Sequence, residues 1–234
     1  MNNDRFDEAL KEAVTYFKKF EYVKGILVSG SYVSKQLNKN SDLDLFILID
    51  DIGHREKGIK VFNDIDVEYF LQPYDKIIDY FNVEETSSKC TTLSLFDKGK
   101  IIYDENNEMR ELVKIAKKKI KKKLPKLTKM QIDMSKYFLE DYLKDMKYAK
   151  KEVKTLIEHK LFEEVISVFF AFERQRIPKE KYLLSSIEQK DFKDLLEKYL
   201  KTKKYEELEK LALWLLEYIG GPLPREYVMR IKTK

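Results

Sequence analysis

Strand patterns occupy only the first half of this chain, and that limits its fold more than any other feature. Short β-branched or alternating runs recur up to about residue 106: "GILVSG" at 25–30, "DLDLFILID" at 42–50, "IKVFNDIDVEYFL" at 59–71, and a short run after Gly99 in "TTLSLFDKGKIIYD". From about residue 107 they stop. "NEMRELVKIAKKKIKKKL", the long stretch from Met134 to Ile177, "KDLLEKYL" and "YEELEKLALWLLEYIGG" read as helices, the last closed by glycine. The expected fold is therefore α+β: an N-terminal mixed-sheet domain over 1–106, then an all-α domain over 107–234. Within the first domain, Phe6, Ala9, Leu10, Ala13, Val14 and Phe17 predict a helix over 4–20. Ser31 to Leu37 reads as a short helix and 74–81 as another. Asn63-Asp64, between two strand-like runs, predicts a hairpin turn.

Composition excludes several classes. With 7 glycines and 5 prolines in 234 residues, long regular elements are expected and a turn-rich β-sandwich is not. A 43% apolar content is enough for a core. The single cysteine, Cys90, rules out an intramolecular disulfide and a multi-cysteine zinc site. His54 and His159 each lack a partner at metal-ligand spacing and read as surface residues. No apolar run reaches the ~18 residues that a membrane span needs, and the opening residues form an acidic amphipathic pattern rather than a signal-peptide core. The expected setting is a reducing cytoplasm, without membrane attachment. Charge divides as the patterns do: residues 1–110 carry −6 and residues 111–234 carry +11.

Two aspartates interrupt the most apolar strand. In "SDLDLFILID", Asp42 and Asp44 point to one face, about 7 Å apart along the strand, while Leu43 and Leu45 point to the other. Carboxylates this close repel unless a divalent cation lies between them, and magnesium takes a few hard oxygen ligands with the rest supplied by water and phosphate. Upstream, Gly30-Ser31 ends a strand where backbone N–H groups and the start of the next helix suit a triphosphate. Downstream, Asp64, Asp66 and Glu68 share one face of "DIDVEYF". If that strand lies beside 42–48, Glu68 or Asp66 reaches the same site as a third acid, which a two-metal phosphoryl-transfer centre requires.

Gly-Ser, the spacer, "SDLDL" and the later acidic strand together resemble the nucleotidyltransferase superfamily of the DNA polymerase beta type, over residues 23–71. The helical half resembles, more faintly, the substrate domain of its antibiotic-modifying members. The resemblance implies that Gly30 and Ser31, with Lys35 and Ser41 nearby, hold the nucleotide. It implies that Asp42 and Asp44 bind magnesium, as two ions, and that Glu68 is the third, catalytic carboxylate, with Asp66 as the alternative. Tyr32 and Val33 depart from the family's pattern, which often has a small residue or arginine there. The implied reaction moves a nucleoside monophosphate from a nucleoside triphosphate to an acceptor hydroxyl.

Other stretches invite other readings. The lysine run at 117–129 suggests nucleic acid, but Ile120 and Leu124 make it a helix with one apolar stripe and a solvated basic face. Arg174, Arg176, Lys179 and Lys181 flank Pro178 at a helix junction and are candidates for triphosphate or acceptor contacts. Glu140, Asp141 and Asp145 are candidates for a cationic acceptor. The expected acceptor is a small molecule; the rivals are a protein or RNA acceptor, and a module that binds nucleotide without turnover.

Overall fold

The structure, a computed structural model, describes residues 4–228. It divides into two compact units, Met1–Lys122 and Lys123–Lys234.

The first unit is a five-stranded mixed sheet with helices on both faces. Its elements in chain order are α1 (Asp4–Phe17), β1 (Val23–Ser29), α2 (Gly30–Val33), β2 (Leu43–Ile49), β3 (Glu56–Phe62), β4 (Ile65–Pro73), α3 (Tyr74–Glu85), α4 (Thr91–Lys98), β5 (Lys100–Asp104) and α5 (Glu108–Ile120). The sheet order is β3-β4-β2-β1-β5. β2 and β4 run parallel, and the other neighbours are antiparallel.

Alternation along β2 sets the two faces. Leu43, Leu45, Ile47 and Ile49 are buried against the face that α1 covers with Phe6, Ala9, Leu10, Ala13 and Phe17. Each such aliphatic contributes about 2 kcal/mol of burial free energy, which locks the strand's register and so fixes where the intervening aspartates point. On the other face, Leu27, Phe46 and Leu48 pack with Ile77 and Phe81 of α3, Cys90, Leu93 and Phe96 at α4, and Met109, Leu112 and Ala116 of α5. The Glu84 carboxylate accepts from the amides of Thr92 and Leu93 at the start of α4, at 2.9 and 2.8 Å. The Asp104 carboxylate does the same for α5 through Met109 and Arg110. These are carboxylates at helix N-termini, where orphan amides and the dipole favour them.

The 59–71 hairpin forms with its turn at Asn63-Asp64, both in the left-handed region at φ 46° and 54°, the pairing of a type I′ turn. Arg5 ties the turn down by donating to the carbonyls of Asn63 and Asp64 at 3.2 and 2.7 Å. Two expectations change. Asp64 lies in the turn, paired with Arg5 at 3.8 Å, and so does not share the strand face of Asp66 and Glu68. The helix expected over 31–37 is the single turn Gly30–Val33. Lys35 at φ 55° ends it, and Asn38 and Ser41 close the following loop on each other.

The first unit also reaches past the change of pattern at residue 107. Helix α5 belongs to it because Met109, Leu112 and Ala116 have no exposure left and sit in the sheet's core.

The second unit is helical: α6 (Lys129–Tyr148), α7 (Lys151–Phe172), a 3₁₀ turn at Glu180–Tyr182, α8 (Leu183–Ser186), α9 (Lys190–Thr202) and α10 (Tyr205–Tyr218). A Thr128–Gln131 capping box opens α6. Its core centres on Phe169, whose ring stacks on Phe192 at 3.7 Å. Among the described residues, no helix is long and apolar enough to cross a membrane.

Candidate active site

Helices α3 to α5 cover only part of their sheet face. Phe46 and Leu48 on β2 lie beneath them, and so does much of Phe70 on β4. Nearer the start of both strands the face opens, and one row of residues crosses it in register: Ser29 on β1, Asp44 on β2, Glu68 on β4 and Ile59 on β3. The parallel β2–β4 pairing sets Asp44 directly beside Glu68, although they are far apart in sequence. Asp42 precedes β2 by one residue. One carboxylate oxygen from each of Asp42, Asp44 and Glu68 lies within 4.8 Å of the other two. Asp42 is exposed, and Asp44 and Glu68 are half-buried. Asp66, on the same face of β4 but nearer the turn, lies outside this group and is exposed.

The turn beside the acids is built around a missing side chain. Gly30 follows Ser29 at φ +72°, and a β-carbon there would stand 1.8 Å from Asp44 Oδ2. Ser31 follows; its Oγ is buried and has no hydrogen-bond partner. Tyr32 anchors the turn to α1 by donating from its hydroxyl to Asp7 Oδ1 at 2.5 Å. Burial, with the Asp7 carboxylate beside it, pushes the Tyr32 hydroxyl up to about 12. The expected helix terminus is therefore a single tethered turn, whose offering is its backbone amides and the Ser31 hydroxyl rather than a long dipole.

The remaining candidates fall as follows. Ser41 accepts from the Asn38 amide at 2.9 Å and shapes the loop entering β2. Lys35 is exposed just after the turn. Arg174, at φ 58°, closes the end of α7 by donating from Nε to the Leu124 carbonyl at 2.6 Å. Lys181 lies 5.0 Å from the centre of the Tyr182 ring. Arg176 and Lys179 stay in the same junction, at the end of α7. Glu140 accepts from the Leu223 amide at 3.2 Å; Asp141 and Asp145 are on the same helix, α6. In the lysine run, Lys119 and Lys122 both pair with Glu85 of α3.

One neighbour of the site was not anticipated. Lys57 Nζ stands 2.9 Å from Glu68 Oε1 and 4.9 Å from the centre of the Phe70 ring. The two-residue turn carries the signal that finds it. That turn fixes the hairpin register, and so sets Lys57 opposite Phe70, one pleat from Glu68.

The donor set suits a hard divalent cation: three converging carboxylates, half open to solvent, beside a glycine turn with an unpartnered hydroxyl. A mixed sheet with Asp44 on one strand and Asp42 just before it, a third acid on the parallel neighbour and a Gly-Ser turn alongside is the arrangement that the resemblance to nucleotidyltransferases of the polymerase beta type implies. Residues 11–108 match the family model described as Polymerase beta, Nucleotidyltransferase. The chain is similar to a nucleotidyltransferase-like protein from Exiguobacterium sibiricum, at 13% identity and a TM-score of 0.52, over 92% of this chain and 74% of that one. At that identity the likeness concerns the fold, and the α+β architecture agrees with it. It is also aligned with the spectinomycin adenyltransferase AAD(9) from Enterococcus faecialis, whose structure holds ATP and spectinomycin, at 12% identity over 94% of this chain and 99% of that one. The TM-score there is 0.33. No curated protein matches the chain.

Proposed function

We propose that the protein is a magnesium-dependent nucleotidyltransferase that moves a nucleoside monophosphate from a nucleoside triphosphate to a hydroxyl of a small-molecule acceptor. The observation that carries this reading is the convergence of Asp42, Asp44 and Glu68 within 4.8 Å beside the Gly30 turn. In this reading Asp42 and Asp44 hold magnesium, and Glu68 completes the seat for a second ion. When bound, the ions neutralise the triphosphate and acidify the attacking hydroxyl. Gly30 lets the backbone come close to the β- and γ-phosphates, and Ser31 Oγ donates to one of them. The acceptor oxygen forms a bond to the α-phosphorus, the bond to the bridging oxygen breaks, and pyrophosphate leaves. The hydroxyl's proton passes to Glu68, whose Oε1 Lys57 holds in place. The helical unit serves as the substrate-binding domain, and Arg174, Arg176, Lys179 and Lys181 are its candidate contacts.

Incubation with each labelled triphosphate, magnesium and a panel of small molecules, proteins and RNAs tests the reading. Label is expected on a small molecule. Asp44→Asn is expected to lower transfer by about three orders of magnitude, equivalent to about 4 kcal/mol of barrier. Undiminished transfer by that variant would overturn the assignment. Label on protein or RNA would instead select a macromolecular acceptor, the direction in which the +11 charge of residues 111–234 points.

A further inference from the structure

The row across the acid face has two unlike ends. At the β1 end lies the Gly30-Ser31 turn. At the β3 end, Ile59 is the register partner of Glu68 and Val61 that of Asp66. β3 is the edge of the sheet. Ile59 and Val61 share the acid face and are 65% and 64% exposed. Single exposed aliphatics are ordinary; these two are adjacent on one face and continue the line of the carboxylates. Strands are about 5 Å apart, so this pair is within reach of a small molecule whose hydroxyl stands at Glu68.

We infer that Ile59 and Val61 are the floor of the acceptor site, and that the acceptor carries an apolar face next to its reactive hydroxyl. The inference rests on the nucleotidyl-transfer reading above. If the triphosphate occupies the turn, the acceptor reaches the acids from the opposite end, and the surface there is hydrocarbon. Its polar borders are Lys57, engaged with Glu68 at 2.9 Å, and Asp66, beside Val61 on β4. A small molecule whose reactive hydroxyl adjoins an aryl or alkyl group fits this strip. An RNA terminus fits it poorly, since its phosphates would lie against Asp66 and the methyl groups of the strip, while Lys57 is already engaged by Glu68.

The test uses the full chain with ¹³C-labelled isoleucine and valine methyl groups, magnesium and a non-hydrolysable ATP analogue. The probes are phenyl glucoside, glucose and a short RNA. Phenyl glucoside is expected to shift the Ile59 and Val61 methyl signals, and glucose and RNA to leave them in place. With hydrolysable ATP, the Ile59→Thr/Val61→Thr double variant is expected to raise the KM for phenyl glucoside about tenfold while the KM for ATP stays within about twofold. Threonine keeps the β-branched shape, and an unchanged thermal midpoint verifies the fold. Transfer to phenyl glucoside with an unchanged acceptor KM in the variant overturns this inference and leaves the nucleotidyl-transfer reading standing. Methyl shifts produced by RNA, or by raising the protein concentration alone, assign the strip to RNA or to a second copy of the chain and overturn it too. Absence of transfer to any acceptor removes the reading and this inference together.

Discussion

Gly30 is a position where a single methyl group reaches the carboxylate cluster. Its β-carbon would stand 1.8 Å from Asp44 Oδ2, so Gly30→Ala has to push the carboxylate aside or abandon the turn. A left-handed alanine costs about 1 kcal/mol, a modest loss of stability, whereas a displacement of about 1 Å at a reacting site costs on the order of 100-fold in rate. The expected result is a nearly intact thermal midpoint with transfer reduced about 100-fold, read by calorimetry beside an assay; equal losses in both would refute it. The aspartates themselves were legible in the sequence because charge at alternate positions of an apolar strand has few other uses. Glu68 and Asp66 were not separable there, since both lie on one face. The register of β4 beside β2 separates them in space. Lys57 was harder to see, because an exposed lysine near a hairpin carries no mark until the turn fixes its partner.

Among the elements, the β3–β4 hairpin carries Glu68 and Lys57, and its turn is suboptimal. Asp64 adopts φ 54° with a side chain that the conformation does not favour. Asp64→Gly relieves this and is expected to stabilise the first unit by about 0.5 kcal/mol, offset in part by loss of the exposed Arg5 pair. Chemical denaturation measures it, and a destabilised variant would show that the pair outweighs the strain. Helices α3 and α5 are tied by Glu85, whose carboxyl Lys119 and Lys122 hold down to about 2 from the ordinary 4.5. A carboxylate depressed in this way stabilises fully above pH 4.5, and its contribution is lost as the pH falls towards 2. Glu85→Gln is therefore expected to flatten that part of the acid-unfolding curve, and an unchanged slope would count against the tie. Neither lysine announced this role. In the sequence they belonged to a run that looked uniformly solvated, and their partner is on a helix more than thirty residues away. The helix after Gly30 is shorter than its spacing predicts, for a similar reason. Ser31 to Leu37 has helical spacing, but the Asn38–Ser41 loop and the left-handed Lys35 compete successfully for the backbone.

For the molecule as a whole, the succession of a mixed sheet and a helical half was plain from where strand patterns end. The point of division was not. Periodicity identifies α5 as a helix but does not say which core receives it; the apolar face of Met109, Leu112 and Ala116 completes the first unit. A fragment ending at Lys122 is thus expected to unfold cooperatively, and one ending at residue 106 to lack a sharp transition, by circular dichroism. Cooperative melting of the shorter fragment would move the boundary back. The lone thiol offers a further handle on this unit. Cys90 is buried where α4 begins, its Sγ 3.4 Å from Ser94 Oγ. Maleimide must wait for that corner to lift before it can react, so labelling kinetics clock the excursions of the layer roofing the acid-bearing sheet. If occupancy of the neighbouring face restrains those excursions, the same thiol becomes a silent gauge of ligand capture, readable by mass alone and without turnover.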